Sequence, residues 1–427
     1  MPDMAPRMLH FGAFLYTPGC HPTGWRHPDA VCETDLSFAG LVDIAQTAER
    51  GKLDALFFQD SVAVSGAGGL DGRPPFNPRT GRQAYLEPLS AIAGLSAVTD
   101  RIGLISTATT SYNTPEDVAR RFLTIDHISG GRAGWNLVTS QLEDEALNFG
   151  REAHFEHGFR YERAAEFHDV MVGLWDAGAG DFAHEGAHFS RQGGLGLARS
   201  PQGRPVVAQA GSSNVGMELA ARTADMVFTA QNTVAEGQAF CADMHGRMAK
   251  YGRAPERMVI LPGLMPIVGR TMAEAEDKFA ALRDLVDDEV GLRAVSRLAG
   301  GLDIYGFDPD GPLPPLPPSN AARARQDMII AMGQRGMSIR QIGRVMGMSM
   351  GHRVLHGTPQ SLADNMQEWL EAGAADGFNL LFPHYPRPLY DFVDLVVPEL
   401  QRRGIFRQDY AAPTLRGNLG VEMLAHA

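Results

Sequence analysis

Short apolar runs alternate with longer amphipathic ones along most of this chain. The short runs are rich in β-branched and aromatic residues, while the longer ones carry apolar residues at helical spacing. Strands that are apolar throughout are typical of a parallel sheet buried on both sides. The pattern predicts eight strands: His10–Leu15, Ala55–Phe58, Ile102–Thr107, Arg132–Thr139, Pro205–Ala210, Met226–Ala230, Met258–Val268 and Gly377–Phe382.

A helix is predicted after each strand. The eight helices are Phe38–Lys52, Glu87–Val98, Pro115–Ile128, Glu156–Trp175, Asn214–Thr223, Ala235–Lys250, Thr271–Asp287 and Leu389–Arg402. Closing eight βα units into a barrel removes both sheet edges. We therefore predict an α/β fold, a (β/α)8 TIM barrel, formed by a single domain over residues 1–427. An open doubly wound sheet is the competing architecture.

Two segments interrupt the alternation and are predicted insertions. Residues 61–86 are rich in Gly, Pro and Asn, and residues 288–357 contain the Pro-rich stretch Pro309–Pro318 and two short helical patterns. Loops this long inside a compact domain usually have a function. We expect them to contribute to a lid over the active site, or to contacts between subunits.

Charge and cysteine content exclude several classes of protein. The net charge is −12, without a basic block, which argues against a nucleic-acid partner. The three cysteines, Cys20, Cys32 and Cys241, are too few and too scattered for a disulfide framework or a zinc cluster. We find neither a signal peptide nor a transmembrane stretch, so the expected location is the cytoplasm, without a membrane partner.

Candidate functional residues follow the carboxyl ends of the predicted strands, where barrel enzymes place their active sites. Strand two is followed by Asp60, strand three reaches the hydroxyls of Ser106 and Thr107, and strand four carries Asn136. His21 follows strand one. These residues are therefore expected on one face of the barrel.

Strand five ends in Gly211-Ser212-Ser213, where the next helix begins. Free backbone N–H groups at a helix start, beside two hydroxyls, can bind an anion. The competing interpretation is that Ser212 and Ser213 only cap the helix. A phosphate-binding loop of nucleoside triphosphatases is excluded because Met217-Glu218 stands where Lys and Ser or Thr are required.

Two further patterns involve histidine. His157 and Tyr161 are four residues apart on a predicted helix, so their side chains share a face and could contact a phosphate; a purely structural pair is the alternative. The string His184–His188 matches the H-E-x-x-H zinc motif, but the surrounding glycines favour a turn or hairpin over the helix this motif needs. We therefore predict no metal site.

One string is diagnostic of a family. Ser129–Ser140, SGGRAGWNLVTS, closely resembles the signature of a branch of the bacterial-luciferase-like flavin monooxygenases, the branch of nitrilotriacetate monooxygenase component A, dibenzothiophene-sulfone monooxygenase and the large subunit of pristinamycin IIA synthase. Further matching strings span the chain: Gly24–Pro28, Leu56–Ser61, Glu87–Leu89, Gln209–Ser213, Asp376–Asn379 and Asp391–Phe406.

The resemblance implies a fold and a reaction. It implies a luciferase-like (β/α)8 barrel that receives FMNH2 from a separate NAD(P)H:flavin reductase. The reduced FMN would react with O2 to form a C4a-(hydro)peroxide that oxidises a small organic substrate. Members of this family usually associate as homodimers or homotetramers.

The resemblance also assigns site residues. Flavin contacts carry over to Asp60, to Thr107 with Ser106 as second choice, and to Asn136. The pair His157 and Tyr161, with Ser212 or Ser213, matches the phosphate and ribityl contacts. These are positions that the strand order had already placed on one face.

Some questions stay open. Gln59 stands where a small residue is more usual, and the region between Trp175 and the string His184–Phe189 is shorter than in relatives, which puts the substrate's shape in doubt. No catalytic residue is assigned; His21 and His352 are candidates as proton donors or substrate contacts. Two alternatives are a flavin- or deazaflavin-dependent hydride-transfer enzyme and a non-catalytic flavoprotein. Nothing in the sequence selects a particular substrate.

Overall fold

The computed structural model describes residues 7–16, 19–31, 37–63, 86–140, 143–211, 213–299, 302–317 and 323–421. Eleven strands lie in this part of the chain. They are β1 His10–Leu15, β2 Ala55–Phe58, β3 Gly103–Thr109, β4 Ala133–Val138, β5 Ala183–Glu185, β6 Ser190–Gln192, β7 Val206–Ala210, β8 Met226–Thr229, β9 Val259–Val268, β10 Arg353–Gly357 and β11 Gly377–Leu380.

Helices separate most of these strands. They are α1 Phe38–Arg50, α2 Pro88–Leu95, α3 Pro115–Ser129, α4 Glu143–Asn148, α5 His157–Ala177, α6 Asn214–Thr223, α7 Val234–Lys250, α8 Met272–Asp284, α9 Asp288–Leu298, α10 Arg323–Gln334, α11 Ile339–Ser349, α12 Pro359–Glu371, α13 Arg387–Asp391, α14 Val397–Arg402 and α15 Leu415–Asn418. A π-helical segment, Phe392–Val396, joins α13 to α14.

Eight parallel strands close into a barrel. Their order is β11-β1-β2-β3-β4-β7-β8-β9, and β9 completes the ring by pairing with β8 at Val259–Pro262 and with β11 at Gly263 and Leu264. The predicted (β/α)8 barrel is confirmed. The eight predicted strands correspond to these eight strands, with bounds that differ by a few residues at most.

The seventh βα unit departs from the prediction. The far end of β9 pairs with an unpredicted strand, β10, and the unpredicted helix α12 packs against both strands and β11. The expectation of one helix per strand is therefore wrong here, since α8 and α12 both lie in this unit. In the described residues of the insertion 288–357, three α-helices, α9 to α11, pack around their own core, where two short helical patterns were predicted.

The other insertion and the histidine motif have different outcomes. Of residues 61–86, positions 64–85 lie outside the described residues, so the structure does not test the first insertion. The segment around His184–His188 forms β5, a turn and β6, which confirms the predicted hairpin. The helix that the zinc motif needs is therefore not formed there. His184 instead contacts Glu166, with 3.1 Å between Nε2 and Oε1.

Alternation along the strands decides which side chains enter the barrel. On β3, Ile105 joins the apolar cluster inside the barrel, whereas Leu104 and Ala108 join the cluster between barrel and helices. Because successive side chains point to opposite faces, Thr107 points inward and Ser106 outward. The outward Trp135 of β4 shows what fills the outer layer, since it packs against helix residues Phe167 and Trp175.

The chain's last described turn closes the bottom of the barrel. Leu415 of α15 is buried inside, next to Gly103 and Gly134, and a side chain on Gly103 would collide with it. The neighbouring Arg416 forms a bidentate ion pair with Asp225, with N–O distances of 2.9 and 2.8 Å. The amino-terminal mouth is thus plugged, which leaves the carboxyl-terminal mouth for ligands.

We predict that the bottom plug is a large contributor to stability. Leu415→Ala should lower the free energy of unfolding by about 2–5 kcal/mol, because it leaves a cavity between glycines that cannot fill it. Leu147→Ala is the matched control: Leu147 is 56% exposed, so its truncation should cost no more than about 0.5 kcal/mol. Urea unfolding of both variants checks this, and equal losses would contradict it.

Candidate active site

Three aromatic rings form a floor inside the barrel. Phe14, Phe57 and Phe228 come from β1, β2 and β8, and their ring centroids lie 5.1 to 5.9 Å apart in the three pairings. Aromatic rings at these spacings are well packed. The interior below this floor is apolar. A ligand entering from the carboxyl-terminal mouth therefore meets an aromatic surface.

Beyond this floor, toward the carboxyl ends of β2, β3 and β4, the inner wall of the barrel carries polar side chains. Thr107 Oγ1 donates a hydrogen bond to the Phe58 carbonyl at 2.7 Å, so it must accept the one from Asn136 Nδ2 at 2.8 Å. This fixes the orientation of the Asn136 amide and leaves its Oδ1 as an acceptor. Among the described residues, Asn136 Oδ1 and Gln59 Oε1 are buried atoms without a hydrogen-bond partner. Both are open to a ligand's N–H groups.

The remaining predicted wall residues differ in position. Ser106 is fully buried on the outer face of β3, so the structure does not bring it together with Thr107 and Asn136. Asp60 follows β2 directly, where its Oδ1 accepts from the Ser61 backbone N–H at 2.8 Å. Asp60 thus lies at the mouth, as expected from the strand order.

A carboxylate that the sequence did not single out connects these strand ends. Glu145 of α4 is buried, and its Oε1 accepts from Ser61 Oγ at 3.2 Å and from Ser140 Oγ at 3.0 Å. Ser140 also lies 2.8 Å from Thr109 Oγ1. The Glu145 carboxylate therefore ties together the loops that follow β2, β3 and β4, which makes the polar wall rigid.

The start of α6 lies at the carboxyl end of β7, where an anion site was predicted. Ser213 caps this helix, since its side chain accepts from Gly216 N at 3.2 Å. The capping interpretation is confirmed for Ser213, whose hydroxyl hydrogen remains available to a ligand. Ser212 lies outside the described residues.

The predicted pair on α5 lies beside this helix start. The rings of His157 and Tyr161 are 4.8 Å apart. A side chain on Gly216 would come within 3.1 Å of the Tyr161 hydroxyl and 3.0 Å of Ser213 Oγ. Glycine therefore lets two hydroxyls converge on the first turn of α6. Helix N-termini favour anions through their free N–H groups and dipole, so this arrangement suits a phosphate.

The two histidine candidates lie in different places. His21 is buried beside the loop after β1, with its Nδ1 accepting from Thr23 N at 3.1 Å. His352, which directly precedes β10, stacks on the floor ring of Phe228 at 5.1 Å and 10°. A side chain at Gly263 would collide with the His352 ring, so this glycine makes room for it. Of the two, the structure places His352 directly against the floor.

Burial keeps these histidines neutral. Desolvation lowers the pKa of His21 to about 4, and it lowers the pKa of His352 well below its usual value. His384, which follows β11, has its pKa lowered to about 3 by burial and by the nearby His27. A neutral imidazole still donates one N–H and accepts at its other nitrogen. These groups act near neutral pH as hydrogen-bonding partners rather than as cations.

The fold and the site define a class: a barrel with a helix start suited to an anion, beside a cleft that has an aromatic floor. Comparison with known families identifies the class further. The family described as luciferase-like monooxygenase matches residues 14–376. The chain therefore belongs to the luciferase-like monooxygenases and is a flavin-dependent monooxygenase.

Individual relatives are similar over almost their whole length. Nitrilotriacetate monooxygenase component A of Aminobacter aminovorans is 44% identical, over 98% of this chain and 97% of the relative. Dibenzothiophene-sulfone monooxygenase of Rhodococcus erythropolis (strain XP) is 36% identical, over 98% of this chain and 97% of the relative. A riboflavin lyase structure with modified FMN and riboflavin has a TM-score of 0.85 and 27% identity, over 97% of this chain and 96% of that one. The family resemblance predicted from the sequence is confirmed.

We predict that the neutral histidines make the protein sensitive to acid. Because burial lowers their folded-state pKa below the ordinary 6.5, the unfolded chain binds more protons as the pH falls below about 6.5. Stability should therefore decrease from about pH 7 to about pH 5. Asp126 opposes this, since burial raises its pKa to about 6.

Thermal unfolding against pH, for the wild type and for His384→Gln, checks this prediction. The wild type should lose Tm over this range, and the variant should lose less, because it lacks one histidine that must stay neutral when folded. Superimposable pH profiles would show that His384 is not held neutral by the fold.

Proposed function

We propose that this chain is the oxygenase component of a two-component system that uses FMNH2 from a separate NAD(P)H:flavin reductase, and O2, to oxidise a small organic substrate. The observation that carries the proposal is the Thr107–Asn136 pair, which orients a buried acceptor into a cleft with an aromatic floor. The name of the relative from Aminobacter, a component A, supports a second component.

The residues of the cleft fit reduced FMN. Its isoalloxazine ring carries N–H groups that match the unpartnered acceptors Asn136 Oδ1 and Gln59 Oε1. Its flat aromatic ring matches the floor of Phe14, Phe57 and Phe228. Its phosphate matches the start of α6. The FMN in the riboflavin lyase structure supports this choice of flavin.

We assign roles to the individual residues accordingly. Thr107 and Asn136 would contact the flavin ring, with Asp60 at the edge of the cleft. The phosphate and its neighbouring hydroxyls would be held by four residues: His157, Tyr161, Ser212 and Ser213. Ser106 is left out, because its hydroxyl lies on the outer face of β3.

The chemistry comes from the cofactor, and the protein binds, orients and excludes water. Bound reduced flavin supplies two electrons to O2, so that one oxygen atom enters the substrate and the other leaves as water. Asn136 and Thr107 would set the ring's orientation. The helices α9 to α11, with His352 at their end, would close one side of the mouth, which is the lid predicted for residues 288–357.

The location, oligomeric state and partners of the enzyme are also part of the proposal. We propose a cytoplasmic protein that associates as a homodimer or homotetramer, with no nucleic-acid or membrane partner. Within the described part of the chain, no helix is long and apolar enough to cross a membrane, and Cys20 and Cys241 are buried free thiols. Free thiols are typical of a reducing compartment.

Adjacent hydroxyls on β3 provide a matched test of the flavin site. Thr107→Val removes the acceptor that orients Asn136, so we expect the affinity for FMNH2 to fall about tenfold or more. Ser106→Ala, one residue away and on the other face, should leave it unchanged. Anaerobic titration with photoreduced FMN measures both. Equal effects of the two substitutions would contradict the assignment.

The proposed reaction is tested by separating the supply of electrons from the oxygenase. Photoreduced FMN, added without any reductase, should bind the protein. On mixing with O2, the absorbance of oxidised FMN should return more slowly than in free solution, because the cleft shields the flavin. An unrelated flavin reductase with NADH should then sustain O2 consumption.

Two results would contradict the proposal. One is a reoxidation rate equal to that of free FMNH2. The other is turnover that transfers hydride from a reduced deazaflavin without consuming O2.

A further inference from the structure

The insertion brings a half-buried cation to the mouth of the barrel. Arg325 of α10 lies with Nη2 2.6 Å from Nε2 of His352, the imidazole that stacks on Phe228. Its Nη1 faces the turn at Gly351, whose φ is +82°, and a side chain there would come within 3.0 Å of it. The His352 ring therefore lies between Arg325 and the floor ring of Phe228.

The contact between these two side chains fixes the protonation of the imidazole. A guanidinium only donates hydrogen bonds, so His352 Nε2 must accept and the ring proton must lie on Nδ1. Within the described chain, His352 Nδ1 and Arg325 Nη1 are both buried atoms without a hydrogen-bond partner. Two N–H donors at the mouth thus lack an acceptor.

The positive charge of Arg325 also lacks a counter-ion in the described residues. None of their carboxylates lies within ion-pair distance of it, although Arg416 pairs with Asp225 and Arg407 with Asp54. Burial lowers the pKa of Arg325 to about 10, so it stays charged at neutral pH. A charge that is partly withdrawn from water and lacks a counter-ion has a desolvation cost, and an anion that enters the site offsets that cost by pairing with it.

We propose that Arg325 Nη1 binds a carboxylate group of the substrate, while the contact of Nη2 with His352 Nε2 holds the guanidinium in place. This inference rests on the proposed function, since it places the substrate in the cleft that would hold the flavin. Because Nη2 is engaged by His352, Nη1 is the N–H group that would donate a charge-assisted hydrogen bond to a carboxylate oxygen. Because His352 lies on Phe228, a carboxylate held here keeps the rest of the substrate at the mouth, next to the flavin above the aromatic floor. The substrate class is thus a small organic acid.

Direct binding tests the proposal without depending on turnover. Nitrilotriacetate and glutarate are titrated by calorimetry into the FMN-loaded protein, with their methyl esters as uncharged counterparts. We expect at least one acid to bind and its ester to bind at least tenfold more weakly. Arg325→Met should weaken binding of the acid about 30-fold or more, as expected when one partner of a desolvated charge pair is removed.

Three variants separate the role of Arg325 from general damage. Arg335→Gln, at the exposed end of the same segment, should leave acid binding unchanged. Arg325→Lys keeps the charge but lacks a second N–H group to be held by His352, so acid binding should fall between wild type and Arg325→Met. All three variants should bind FMN as tightly as the wild type, because the phosphate would be held at α6.

Several outcomes would overturn the inference. One is a wild type that binds FMN but none of the acids, and another is an Arg325→Met protein that binds the acid as tightly as wild type does. A loss of FMN affinity equal to the loss of acid affinity would assign Arg325 to the cofactor. If the wild type fails to bind FMN, the proposed function fails instead, which this titration distinguishes.

Discussion

The packing of Phe14, Phe57 and Phe228 across the barrel interior is the constraint on which the site depends. Three rings from three strands fill the middle of the barrel, so nothing passes from one mouth to the other. Below them the interior is apolar and is closed by Leu415. Above them, each inward position on a strand becomes the wall of a cleft. The floor therefore leaves the barrel with a single cleft, which opens at the carboxyl-terminal mouth.

The wall of that cleft is rigid and carries little charge. Glu145 ties the loops after β2, β3 and β4 through serine hydroxyls, and Thr107 sets the amide of Asn136. The histidines of the mouth are neutral because they are buried. Such a site provides preorganised hydrogen bonds in a poorly solvated space, which suits a cofactor whose reaction with O2 must be protected from water.

Much of the fold could be predicted because strands and helices have distinct hydrophobic periods. Two elements after residue 350, β10 and α12, were missed. β10 is half-exposed along most of its length, so it lacks the buried apolar run that marks the other barrel strands. The signal for α12 was present, with Thr358 capping, Pro359 in the first turn and Leu362, Met366 and Trp369 on one face.

The site was less accessible to prediction than the fold. The alternation of β3 could have separated Thr107 from Ser106, because Ile105 and Thr107 share a face. Glu145 and Arg325 could not have been found, since their importance comes from neighbours that are distant in sequence: Ser61 for Glu145, and His352 for Arg325. A sequence places side chains on elements, but contacts between elements depend on how the barrel closes.

The most direct measurement of the central claim is a crystal structure of the protein with FMN. The account predicts the flavin ring over Phe14, Phe57 and Phe228, within hydrogen-bond distance of Asn136 Oδ1, and the phosphate at the start of α6 beside Tyr161 and Ser213. A flavin bound outside the carboxyl-terminal mouth, or a phosphate held away from α6, would contradict it.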